Sequence, residues 1–149
     1  MEEFDLVELV KDLLKDLNNQ IQNKKLSLIL KCKEDSILIV ADKLRLNQVF
    51  LNIINNAINV LQEGEIIVFL ERQDNNTVLV RIIDDGPGIP SNIMDSLFTK
   101  FVTGSKSGTG LGLYICKNII ENHGGKIWAE NNKNKGANFN FIIPIRSKH

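Results

Sequence analysis

The stretch from Thr77 to Pro90, TVLVRIIDDGPGIP, constrains this chain more than any other, because an apolar run carries directly into two carboxylates and a glycine-proline turn. Val78, Val80, Ile82 and Ile83 give it β-branched, partly alternating character, and Asp84-Asp85-Gly86-Pro87-Gly88 must break any ladder. A strand therefore delivers an acid to a loop. Gly86 and Gly88 have no side chain to hold a flat ligand off the backbone. A carboxylate accepts hydrogen bonds only, so it selects ligands that offer N–H donors, as the exocyclic amine of adenine does. An ordinary strand-to-turn corner uses the same residue types, so the stretch alone leaves both readings open.

Composition narrows the class. At 149 residues with 43% hydrophobic content, one domain with one sizeable core is expected. Eighteen basic residues balance 18 acidic ones, so the electrostatic footprint of a nucleic-acid binder is absent. No run is long enough to cross a bilayer, and the acidic opening MEEFDLVELV is not a signal peptide. A soluble, cytoplasmic domain without membrane contact of its own is the expectation. Cys32 and Cys116 lie far apart in apolar contexts without metal-ligand spacing, which favours buried, reduced thiols.

The apolar residues from Phe4 to about Leu17 recur at three and four, predicting an amphipathic helix. Two β-type runs follow, Leu26 to Cys32 and Ile37 to Ala41, split by a charged turn, and they read as a hairpin. Asp42 can cap a long helix through about Leu61, and Gly64 ends that region. Strands Ile66 to Arg72 and Thr77 to Ile83 flank a polar turn and make an antiparallel pair. Residues 91–107 are poor in regular periodicity and end in small polar residues, as a lid spanning residues 88–107 would. A helix from Gly110 to Asn122 ends at Gly124-Gly125, and strands Lys126 to Glu130 and Ala137 to Ile145 close the chain. This order gives an α+β two-layer sandwich with helices on one face of the sheet.

On the long helix Gln48, Asn52, Asn55, Asn56 and Asn59 share one face. Asn is a poor helix former, and a solvated face is more readily built from Glu, Lys or Arg. Carboxamide oxygens there suit Mg²⁺, which keeps most of its waters and takes few protein ligands plus substrate phosphates. An Asn-rich chain would also produce the stripe. Gly108-Thr109-Gly110-Leu111-Gly112-Leu113 opens a helix, where bare N–H groups and the positive dipole end favour phosphate. Lys100 and Lys106 lie close by in sequence and could neutralise phosphate charge, although surface lysines are commonly just solvated. No P-loop, zinc cluster or GxSxG elbow occurs, and His123 beside Gly124-Gly125 reads as structural.

Together and in this order, RLNQVFLNIINNAI, DDGPGI, LFTKF, GTGLGL and HGGKIWAEN followed by GANFNF resemble the N box, first glycine box, phenylalanine box, second glycine box and closing strands of the catalytic, ATP-binding domain of sensor histidine kinases. The resemblance spans nearly all of residues 1–149 and implies the Bergerat fold, a mixed, mostly antiparallel sheet under three helices, shared with gyrase, MutL and heat-shock chaperone ATPases. It implies that Asp84 accepts the adenine amine, that Gly86 and Gly88 admit the base beside Ile89, and that Asn138 lies beside the base where Thr is common. Asn56 would hold Mg²⁺, with Asn52 supporting that site. Gly108, Gly110 and Gly112, with Thr109, Leu111 and Leu113 between them, would cradle the phosphates of ATP. Phe98 and Phe101 would pack the lid. The family often has Lys at the Asn59 position, which leaves open whether Asn59, Lys100 or Lys106 meets a phosphate.

The hydrolysing relatives carry Glu at the Asn52 position as general base for water, and a carboxamide cannot take that proton. Transfer to a histidine is then the implied reaction, with residues 1–20 a helix following a dimerisation and phosphoacceptor domain that this chain lacks. That histidine-bearing domain and a downstream response regulator are the implied partners. A serine kinase or hydrolysing ATPase of the same fold, or a nucleotide-sensing module without transfer, are the alternatives.

Overall fold

The computed structural model describes residues 1–100 and 111–146. Its elements are β1 (Glu2–Asp5), α1 (Leu6–Gln20), β2 (Lys25–Cys32), β3 (Leu38–Ala41), α2 (Lys43–Val60), β4 (Glu63–Arg72), β5 (Thr77–Asp84), α3 (Ser91–Met94), α4 (Gly112–Asn122), β6 (Lys126–Asn131) and β7 (Ala137–Pro144). Five strands form one mixed sheet in the order β2-β4-β5-β7-β6, with β2 parallel to β4 and every other pair antiparallel.

The expected hairpin of β2 and β3 does not form. β2 pairs with β4 in parallel, while β3 pairs with β1 in a separate two-stranded sheet. Parallel strands need a long crossover, and α2 supplies it. The start of the chain differs in a related way: Phe4 is not helical but opposes Ile39 in the small sheet. Asp5 ends that strand and caps α1, accepting from Val7 N at 3.0 Å and from Ile37 N at 3.0 Å. One carboxylate thus joins the helix to the chain entering β3. Gly64 lies inside β4 rather than before it, with φ of 118°, a conformation that residues with a side chain rarely adopt, and a Cβ there would run into the Asp85 carboxylate.

Alternation puts Ile66, Val68 and Leu70 of β4, Val78, Val80 and Ile82 of β5, and Phe139, Phe141 and Ile143 of β7 in one cluster with the buried residues of α1, α2 and α4. Phe50 of α2 meets Phe141 edge-on with ring centroids 5.5 Å apart. The helices therefore share one face of the sheet, and the paired strand ends of β5 and β7 open beside α2 and α4. α2 and α4 are also tied end to end: His123, 3% exposed, accepts from Asp42 N through Nε2 at 3.1 Å and donates from Nδ1 to Ile119 O at 2.8 Å. Both ring nitrogens are occupied, which is the structural role its position suggested.

Candidate functional site

β5 ends at Asp84, which is 8% exposed although it is an acid. Its Oδ1 accepts from Gly86 N at 2.9 Å and from Ala137 N at 3.3 Å. Oδ2 accepts no hydrogen bond among the described residues, so one oxygen is pinned by the backbone and the other is left to take a donor. The turn after it is drawn tightly against its surroundings. A Cβ on Gly86 would lie 2.8 Å from Leu61 Cδ2, and Gly88, with φ of 87°, would place one 2.9 Å from Asn131 Oδ1. Asn131 holds the peptide of Ile89 from both sides, accepting from Ile89 N at 2.7 Å and donating to Ile89 O at 3.0 Å.

α2 carries its amides to the start of α4 at Asn52. Asn52 is half-buried and donates to Gly112 O at 3.4 Å, so it packs against the first turn of α4. Asn56 and Asn59 are exposed, one and two turns further along the same face. Gly112 faces Asn52 directly, with a Cβ there 3.8 Å from the Asn52 amide carbon. Leu111 flanks it, while Leu113 is buried in the core and supports the helix start from beneath. Phe98 packs edge-on against Phe139, centroids 6.4 Å apart, which anchors its segment to the sheet. Lys100 sits over the Tyr114 ring, 5.0 Å from its centroid. There the Asn118 side chain and Lys100 hold the Tyr114 phenol below its ordinary value. Phe101, Lys106, Gly108, Thr109 and Gly110 lie outside the described residues.

One expected site residue is placed elsewhere. Asn138 pairs with Ile83 and shares its side of the sheet, opposite to the Asp84 side chain. The residue that reaches Asp84 from β7 is its neighbour Ala137, through a backbone N–H. The alternation of Ala137, Phe139, Phe141 and Ile143 with Asn138 and Asn140 carries that distinction in the sequence. Gly136 is also part of the site: its φ is 91°, and a Cβ would run into the Asp84 carbonyl. Its signal is only a glycine 52 positions from Asp84, which no local pattern links to the acid.

Among the described residues no group of three or more His, Cys, Asp or Glu side chains could hold a metal, so a divalent ion here would rely on amide oxygens and ligand phosphates. Likewise, no described helix is long and apolar enough to cross a membrane.

An acid pinned at a strand end, a stripped turn beside it and an amide-bearing helix whose Asn52 meets a helix start make up the site of a nucleotide-binding α/β sandwich. The sequence profile of the histidine kinase-, DNA gyrase B- and HSP90-like ATPases matches residues 41–147, and the chain belongs to this family. Within it the chain groups with the catalytic, ATP-binding domains of sensor histidine kinases. It superposes on the nucleotide-free catalytic domain of histidine kinase ThkA with a TM-score of 0.88 at 36% identity, covering 98% of this chain and 97% of that one. It is 38% identical over 112 residues to sporulation kinase A of Bacillus subtilis, covering 75% of this chain and 18% of that protein. It is 34% identical over 139 residues to the adaptive-response sensory kinase SasA of Gloeothece citriformis, covering 90% of this chain and 35% of that protein. The chain thus spans between about a fifth and about a third of the length of these two relatives.

Proposed function

We propose that this chain is the phosphoryl-donating half of a two-component sensor histidine kinase. It binds ATP with Mg²⁺ and transfers the γ-phosphoryl group to a histidine on a separate helical dimerisation domain of the same parent protein. The observation that carries this reading is the Asp84 carboxylate, with Oδ1 fixed by Gly86 and Ala137 and Oδ2 left to accept the adenine amine. The bare Gly86 and Gly88 fit a flat base laid against the turn.

Asn56, exposed on the amide face of α2, would hold Mg²⁺ through its side-chain oxygen. Bound there, the ion would neutralise charge on the phosphates. Asn52 joins that face to the start of α4, whose N–H groups and dipole favour the phosphates. Gly108, Thr109, Gly110, Leu111 and Gly112 complete this cradle in the reading, and Phe98 with Phe101 seats the lid. Asn59 takes up the outer end of the amide row. Lys100 is engaged with Tyr114, which favours Lys106 or Asn59 over Lys100 as the group that meets a phosphate.

No carboxylate stands at Asn52 to deprotonate water, so water is not activated and the domain positions the γ-phosphoryl group for a nucleophile that it does not itself carry. ThkA has been captured with the response regulator TrrA, in a structure that this chain matches at 34% identity and a TM-score of 0.82. A response regulator that receives the phosphoryl group from the histidine is the corresponding downstream partner, and the chemistry is cytoplasmic whether or not the parent protein is membrane-anchored. The test is to mix the chain with γ-labelled ATP, Mg²⁺ and a helical domain bearing a histidine. Label should appear on that domain, should need both proteins, and should be lost with Asp84→Asn. Rapid steady-state ATP hydrolysis by the isolated chain would contradict the reading.

A further inference from the structure

Asn138 is turned away from the pocket, yet it lies in the middle of a row of side-chain amides. Its Nδ2 donates to Asn132 Oδ1 at 2.6 Å, and its Oδ1 accepts from Asn140 Nδ2 at 2.6 Å. Asn140 has no exposed surface; it accepts from Arg81 Nη1 at 3.3 Å and also donates to Glu130 Oε1 at 3.3 Å. With its oxygen taken by Asn138, Asn132 has only Nδ2 to aim elsewhere, and that group donates to the Asp84 carbonyl at 3.1 Å and the Lys135 carbonyl at 3.2 Å. The bonds that link the row run one way, from the Arg81 guanidinium through Asn140, Asn138 and Asn132 to the Asp84 carbonyl, while Asn140 also donates aside to Glu130 and Asn132 to the Lys135 and Ala137 carbonyls. Hydrogen bonds in such a chain polarise one another, and the cation at its head strengthens the first of them.

Holding the β6–β7 connection closed does not require this row, because Asn132 N already donates to Gly136 O at 2.9 Å. What the row does is grip the Asp84 peptide from the face opposite its carboxylate, while Asn131 grips the Ile89 peptide at the other end of the turn. We infer that Asn132, oriented by Asn138, is a positioning residue for the nucleotide base, aiming the Asp84 carboxylate without touching the ligand. This rests on the adenine reading of Asp84.

The deciding comparison exchanges one atom type at Asn138. In Asn138→Asp the side chain keeps its size but offers Asn132 an acceptor instead of a donor. The Asn132 amide then turns over, and its oxygen faces the Asp84 carbonyl. In Asn138→Thr a hydroxyl donor is retained. Calorimetric titration of the 149-residue chain with ATP and with inosine triphosphate, which lacks the exocyclic amine, reads the aim of Asp84 directly. Asn138→Asp should bind ATP about tenfold more weakly, the loss of roughly one well-placed hydrogen bond, with affinity for inosine triphosphate unchanged. Asn138→Thr should keep the ATP preference of the parent chain. If the aspartate variant keeps that preference too, the positioning role is wrong. If it loses its melting transition, Asn132→Ala removes the same donor and must show the same selective loss for the inference to stand. A parent chain that binds both nucleotides equally would sink the reading of Asp84 itself, and this inference with it.

Discussion

At the scale of single residues the site depends on groups that leave little room for replacement. In the proposed function Asp84→Asn puts an N–H where adenine needs an acceptor, or turns the amide and gives up the bonds from Gly86 and Ala137. ATP affinity should fall by about one to two orders of magnitude with the melting temperature little changed, as read by titration and thermal melting. Gly136→Ala forces a left-handed φ and a collision with the Asp84 carbonyl, so it should cost at least about 2 kcal/mol in denaturant unfolding. Cys116 has no exposed surface, and burial pushes its thiol from the ordinary 9.0 up to about 12. Above pH 9 the unfolded chain loses this proton while the native state keeps it. The contribution is therefore fully present below pH 9 and is lost as pH rises towards 12, at about 1.4 kcal/mol per pH unit. The stability difference between the parent chain and Cys116→Ala should shift by that slope above pH 9 and stay flat below it.

Elements are fixed by a few polar ties at their ends. Burial pushes the Asp5 carboxyl up, but bonds from Ile37, Ser36, Val7 and Glu8 outweigh it and hold the group below its ordinary 3.8. Such a depressed carboxyl stabilises the native state above 3.8 and loses that contribution as pH falls through its lowered native value. Asp5→Ala should cost about 1 to 2 kcal/mol at neutral pH, the range of a lost helix cap, and the penalty should shrink in acid. His123→Ala should be worse tolerated than its position at a helix end suggests. It strands the Asp42 N–H and leaves a hole between α2 and α4, with an expected loss of about 2 to 3 kcal/mol by chemical denaturation. From α1, Asn18 accepts from Leu28 N at 3.1 Å and donates to Leu28 O at 3.2 Å, so a side-chain amide serves one residue of the edge strand β2.

For the molecule as a whole, the sheet and the helices meet where β5 and β7 end, and a ligand held there touches segments far apart in the chain. Binding to the folded state alone adds stability by mass action, about 2.7 kcal/mol at a ligand concentration one hundred times Kd. ATP with Mg²⁺ should therefore raise the melting temperature, Asp84→Asn should remove most of that rise, and Asn56→Ala should reduce the part that depends on Mg²⁺. No rise with any nucleotide would contradict the proposed function.

Local pattern determined much of this chain. The three-and-four spacing of Leu6, Val10, Leu13 and Leu17 and of Leu46, Phe50, Ile53 and Ala57 marks the core faces of α1 and α2, because a helix that buries one stripe must repeat it. Thr77 to Gly88 marks a strand that runs into acids and a glycine turn, and the family resemblance singles out Asp84 among them. Periodicity reports which side of an element is apolar, however, and not which element lies beside it. Only the tertiary structure pairs β2 with β4 across α2 instead of with β3, turns Lys100 to Tyr114, brings Ala137, Gly136 and the Asn132 amide to an acid some fifty positions away, and sets Asn131 against Ile89. Those contacts arise from sheet register, where a step of one residue exchanges the two faces, and register is settled by the whole core at once.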